Sequence, residues 1–176
     1  MKIVGTTLKR AVGPVLAAGL IVTALATPAA AQTPGSVAFR LFGIAFLSAS
    51  EGVQNNMTAT VSGGRLILTD TSGVALGPGC TRVSATSADC GSVTAVSRLA
   101  IGMGDRNDSF QGSTLALRTT VDAGTGADTV ATGSGNDTIG VSDRVAGNDT
   151  VNCDGGSDVV IRDLGDNIAA NCEVRY

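Results

Sequence analysis

The stretch DAGTGADTVATGSGNDTIG, Asp122 to Gly140, contains nearly the same unit twice. GTGADTV (Gly124 to Val130) and GSGNDTI (Gly133 to Ile139) match in residue type at almost every position, nine residues apart. Each places an aspartate two residues before a β-branched apolar residue, after two spaced glycines. The same register extends in both directions. GDRNDSF (Gly104 to Phe110), GNDTV (Gly147 to Val151) and GSDVV (Gly156 to Val160) put Asp108, Asp149 and Asp158 two residues ahead of Phe110, Val151 and Val160. Asp128 to Asp137 and Asp149 to Asp158 are steps of nine, whereas Asp137 to Asp149 is a step of twelve, so SDRVAG carries three extra residues, placed here in a turn. A weaker last unit, GDNIA, sets Asn167 nine residues after Asp158. Repetition at this period is the signature of a solenoid, in which each unit buries its apolar residue only against its neighbours.

Outside residues 1–31 the chain has no helical period. It is built from Gly, Thr, Ser, Val, Asn and Asp in short runs broken by turn formers, a strand-and-turn composition. MTATV, SGG and RLILTD predict a β-hairpin over 56–70. The apolar run SVAFRLFGIAFLSAS (Ser36 to Ser50) predicts edge or capping strands, because a solenoid must cover its open end. Strand character continues through Ser92–Ile101. The expectation is an all-β protein, a short parallel β-roll or β-helix solenoid with N-terminal capping strands. Its division is 1–31, a signal segment; 32–101, a β-rich cap; and 102–176, the repeats.

The N-terminal 31 residues carry Lys2, Lys9 and Arg10, then an Ala/Gly-rich apolar core, then small residues at Ala29 and Ala31 before Gln32. That is the order of a cleaved export signal, with a retained anchor as the alternative. Secretion is therefore expected, with no membrane span in the mature chain. From Gln32 onward there are nine arginines, no lysine, no histidine and fifteen acidic residues, a net charge of −6, with twelve of the acids beyond residue 99. An acidic half lacks the cationic surface that nucleic-acid binding requires and favours a cation partner. Without histidine or a mature lysine, Ser-His-Asp and Cys-His catalysis cannot be assembled, and no GxSxG or GxxxxGK occurs; no enzyme is expected. Four cysteines in an exported chain imply two disulfides. Three pairings exist, and local spacing favours Cys80–Cys90 and Cys153–Cys172. With no CxxC and no histidine, zinc is disfavoured.

The units resemble the hemolysin-type (RTX) calcium-binding nonapeptide GGxGxDxUx, in which U is a large apolar residue. The resemblance implies a parallel β-roll with two nonapeptides per coil and calcium between the turns of successive coils. Carried over, the ligands are Asp128, Asp137, Asp149 and Asp158, with turn carbonyls from Gly124, Gly126, Gly133, Gly135, Gly147 and Gly156. Asp128 would lie beside Asp149 and Asp137 beside Asp158, with Asn167 below Asp149. Asp108 would be a further ligand, weakened because Arg106 stands where the motif has glycine. Calcium suits such a turn because it takes six to eight oxygens in loose geometry. The competing expectation is a metal-free solenoid serving as an extracellular adhesion or interaction surface, with a protein or glycan partner. Asn, Asp and Gly are also ordinary turn formers. Like-charged stacking of the aspartates favours calcium. Asp143 and Arg144, inside the insertion, are expected to pair with each other.

Overall fold

A computed structural model describes residues 33–176; the expected signal segment lies outside them. The chain is all-β. In the first half, strands β1 (Ser36–Leu41), β2 (Ile44–Ala49), β3 (Asn56–Ser62), β4 (Arg65–Asp70), β5 (Val74–Leu76), β6 (Thr81–Arg82), β7 (Ser87–Ser92) and β8 (Arg98–Gly102) follow one another. The second half adds β9 (Ser109–Gln111), β10 (Thr119–Asp122), β11 (Thr129–Ala131), β12 (Thr138–Gly140), β13 (Thr150–Asn152), β14 (Val159–Ile161), β15 (Asn167–Ile168) and β16 (Val174–Arg175).

These strands form two eight-stranded sheets, ordered β16-β14-β12-β10-β8-β2-β1-β5 and β15-β13-β11-β9-β3-β4-β7-β6. From β2 to β16, and from β3 to β15, every neighbouring pair is parallel. The chain alternates between the sheets, so one turn of the solenoid contributes one short strand to each. Side chains that point inward stack in rows: Leu47, Ile101, Val121, Ile139 and Val160 on one sheet, Met57, Phe110, Val130, Val151 and Ile168 on the other. All but the last are buried in a single core. The apolar residue of each nonapeptide unit therefore does what the periodicity implies. Three-residue strands suffice because each needs to project only one apolar side chain inward.

The β3–β4 hairpin forms as the sequence indicates, and the capping run Ser36–Ser50 folds into a second one. β1–β2 and β3–β4 turn through Phe42-Gly43 and Gly63-Gly64, all four at positive φ. Two such residues make a type I′ turn, whose twist matches that of the flanking strands. Two details differ from expectation. The β1–β2 hairpin is not at the sheet edge, since β5 pairs outside β1, and Val93–Ala95 within the expected strand 92–101 is a 3-10 turn. Both sheets pass through residue 101 without interruption, because β2 and β3 present free backbone edges to β8 and β9. Hydrogen bonding, not the repeat motif, joins the cap to the roll.

Both disulfides pair as the spacing favours. Cys80–Cys90 staples the β6–β7 hairpin, and Cys153–Cys172 ties the last coil to the one before it. The second closes the longer segment, 19 residues against 10. Loop-closure entropy then assigns about 3 kcal/mol to Cys153–Cys172 and about 2.7 kcal/mol to Cys80–Cys90. The double variant Cys153→Ser/Cys172→Ser should lose about that amount in urea unfolding. An unchanged urea midpoint would mean that the last coil adds nothing to global stability.

Candidate metal centre

Each repeat aspartate sits where a turn ends and a strand begins, and its carboxylate is drawn inward and along the solenoid axis. The backbone N–H of Asp108 donates to Asp128 Oδ1 at 2.8 Å, that of Asp128 to Asp149 Oδ1 at 2.8 Å, and that of Asp149 to Asp166 Oδ1 at 3.4 Å. Asn55 starts this column by donating its N–H to Asp108 Oδ1 at 2.7 Å. On the opposite side Thr119 donates to Asp137 Oδ1 at 2.6 Å, Asp137 to Asp158 Oδ1 at 2.8 Å, and Asp158 to Glu173 Oε2 at 2.8 Å. The side chains thus form two columns, with the pairs Asp128/Asp149 and Asp137/Asp158 that the register anticipates.

Only one oxygen of each carboxylate is used in this way. Asp108, Asp128, Asp137 and Asp158 are each at most 3% exposed, and the Oδ2 of all four is buried without a hydrogen-bond partner. Burial pushes the carboxyls of Asp108, Asp128, Asp137, Asp149 and Asp158 upward, opposed by the N–H bonds and, at Asp137, by the Thr132 hydroxyl and the Arg118 charge, and neighbouring carboxylates add to the rise. For Asp128, with Asp149, Asp108 and Asp143 nearby, the result is about 7. Among the described residues the one salt bridge is Arg65–Asp89, outside both columns, so no arginine forms an ion pair with a column carboxylate. No three carboxylate or cysteine side chains among the described residues converge as a metal cluster. A cation here would take one or two carboxylate oxygens and complete its shell from turn carbonyls or water, which calcium accepts.

The glycines of the motif have a structural task that is independent of any ion. A Cβ on Gly124, Gly126, Gly133, Gly135 or Gly156 would fall on a carbonyl oxygen of the adjacent coil: Gly104, Arg106, Leu115, Leu117 and Gly135 respectively. Successive turns stack backbone on backbone. Two of the anticipated carbonyls already accept hydrogen bonds, Gly126 from Asn148 Nδ2 and Gly133 from the N–H of Gly155. A Cβ on Gly147 would stand 3.3 Å from the Gly165 carbonyl, a looser fit than at the other five.

Several assignments change. Asn167 is an exposed strand residue opposite Thr150, and Asp166 occupies the column below Asp149. The final turn is one residue shorter than nine, which shifts the register. Thr119 and Glu173, unmarked by the motif, occupy the two ends of the second column; the signal was present as TTVDAG and CEVRY, which align with DTVATG once the aspartate is relaxed. Asp143 does not pair with Arg144. It accepts the N–H groups of Val145 at 2.8 Å and Gly126 at 3.2 Å, and Asn148 Nδ2 at 3.1 Å. Arg144 has φ 73° and is exposed. Arg106, at φ 80°, holds the left-handed conformation of the glycine it replaces, and Asp108 keeps its place in the column.

The fold and the paired carboxylate columns define a parallel β-roll with N-terminal capping hairpins. Compared with known proteins, the chain matches no family model, no curated protein and no solved structure. No helix among the described residues is long and apolar enough to cross a membrane, and the two disulfides fit an oxidising compartment.

Proposed function

We propose that the chain is an exported calcium-binding β-roll of the RTX type, in which calcium held between successive turns stabilises the fold. The observation that carries this reading is the set of four buried, unpartnered Oδ2 atoms, on Asp108, Asp128, Asp137 and Asp158. A buried acceptor without a donor costs about 1–3 kcal/mol, and more when charged. Stacked carboxylates also repel one another. A bound divalent cation would supply positive charge to both members of a pair. The residues that would hold it are Asp128 with Asp149, and Asp137 with Asp158. The chain's own part is to fix each carboxylate by the N–H bond to Oδ1, which leaves Oδ2 as the free ligand atom, and to keep bulk water away.

A second reading is favoured by those same N–H bonds. They hold every rung without metal, as a metal-free solenoid requires. In that case function would lie on the outer face of the β15–β3 sheet, where Asn56, Ser109, Thr129, Thr150 and Asn167 stand side by side in register as a polar row suited to a protein or glycan partner.

Thermal unfolding of the oxidised chain separates the two. With calcium the midpoint should rise, with magnesium it should not, and Asp137→Asn/Asp158→Asn should lose the share of the rise due to its column. At a Kd of about 10⁻⁴ M and about 1 mM calcium, each site contributes ~1.4 kcal/mol. A midpoint indifferent to calcium and chelator would leave the metal-free surface as the function.

A further inference from the structure

The first carboxylate column does not end at a repeat. It ends at Asn55, in the segment that joins β2 to β3, and the chemistry there differs from that between coils. Asn55 is 2% exposed, and its Nδ2 donates to the Gly35 carbonyl and to Asp70 Oδ2, both at 2.7 Å. Two acceptors fix the amide orientation, since only an NH₂ group can serve both. Asn55 Oδ1 is then left buried with no donor. The next residue in the column, Asp108, accepts the Asn55 N–H through Oδ1 and has its own Oδ2 buried and unpartnered. Two lone acceptors thus belong to residues already joined by one hydrogen bond.

These two residues form the buried floor of a cavity of about 410 Å³, whose walls are the exposed or half-buried Gln54, Asn56, Thr71, Asn107, Ser109 and Thr129. The wall residues offer amide and hydroxyl oxygens. Asp70, entirely buried, adds negative charge behind Asn55, where its carboxylate accepts Asn56 N–H at 3.4 Å and Ser72 N–H at 3.0 Å. Asp105 and Asp70 both act on Asp108 as like charges.

We propose that this junction is a separate divalent-cation site, with Asn55 Oδ1 and Asp108 Oδ2 as its protein-buried ligands and calcium as the ion. An all-oxygen donor set with one formal charge at the ligand atoms, beside a polar cavity that can supply water, suits calcium better than the strict octahedron of magnesium. The site lies outside the nonapeptide pattern, because Asn55 belongs to the cap. Its consequence is mechanical: an ion there clamps the antiparallel cap onto the first coil of the parallel roll.

The test is a count of calcium ions bound per oxidised chain, by equilibrium dialysis with magnesium present, for the unmodified chain and three variants. Asn55→Leu should remove one ion. Asp108→Asn should also remove one, while folding well in chelator, because its new NH₂ can donate to Asn55 Oδ1. Asp137→Asn/Asp158→Asn should leave the junction ion in place. Retention of the full count in both Asn55→Leu and Asp108→Asn overturns the junction site while leaving the repeat sites standing. A chain that binds one ion, lost in Asn55→Leu but kept in Asp137→Asn/Asp158→Asn, supports the junction and sinks the repeat sites of both columns. Absence of bound calcium in the unmodified chain overturns both.

Discussion

Gly126→Ala should unfold the roll or bring it close to unfolding, whereas Gly140→Ala, fourteen residues on, should be tolerated. Gly126 has φ 142°, a conformation that L side chains rarely adopt, and its Cβ would land on the carbonyl of Arg106 in the adjacent coil. Neither partner can yield, because both are backbone atoms in stacked turns. Backbone strain and overpacking each cost about 1–3 kcal/mol, so roughly 4 kcal/mol is expected together, a large part of a small domain's stability. Gly140 has no positive φ, and a Cβ there meets the Val121 carbonyl at 3.8 Å, an ordinary contact. Its replacement should shift stability by less than about 1 kcal/mol. Urea unfolding of both variants, with and without calcium, checks this. Equal effects at the two positions would mean that the turns do not stack as described. A Gly126→Ala loss confined to calcium-loaded protein would mean that the glycine serves the ion and not the packing.

That contrast bears on how far the sequence disclosed the structure. The inward rows were legible because burying one apolar residue per short strand is a demand repeated at every coil, and repetition leaves a period. Asp128, Asp137, Asp149 and Asp158 were legible for the same reason. The column ends were not. Thr119 is a first rung, and what the column uses from it is a backbone N–H that any residue except proline supplies; Glu173 reaches with a longer side chain what aspartate does elsewhere. Counting nine from Asp158 leads to Asn167, and only the three-dimensional turn reveals that one residue is missing. The junction at Asn55 has no motif at all, since an asparagine in a polar loop is unremarkable until its amide is seen to be fixed by two acceptors. The insertion shows the limit from the other side. Asp143 and Arg144 are adjacent and opposite in charge, but the left-handed backbone at Arg144 and three waiting donors decide where the carboxylate of Asp143 goes.

In the presence of chelator, stability should fall as pH rises from about 4 to about 8, and calcium should abolish that fall. The folded-state carboxyls of Asp108, Asp128, Asp137, Asp149 and Asp158 all lie above their ordinary value of 3.8, Asp128 at about 7. The folded chain therefore binds more protons than the unfolded chain between those limits. Its stability is greatest below the unfolded value and is lost as pH passes through the folded one. The cause is burial together with like charge, so the metal-free columns hold best when their carboxyls are neutral. Bound calcium would reverse the preference, because a cation takes the charged form and competes with protons. Curves measured with calcium and with chelator should converge near pH 4 and separate toward pH 8. There, two occupied repeat pairs and the junction at ~1.4 kcal/mol each would open a gap of about 4 kcal/mol at about 1 mM calcium. Asp128→Asn should flatten the chelator curve around pH 7, as it removes the carboxyl that titrates highest while keeping an oxygen to accept the Asp108 N–H. A chelated chain that gains stability from pH 4 to pH 8 would contradict the buried columns themselves. A falling curve that calcium fails to flatten would mean that protons alone neutralise the columns, and the metal assignment would be withdrawn.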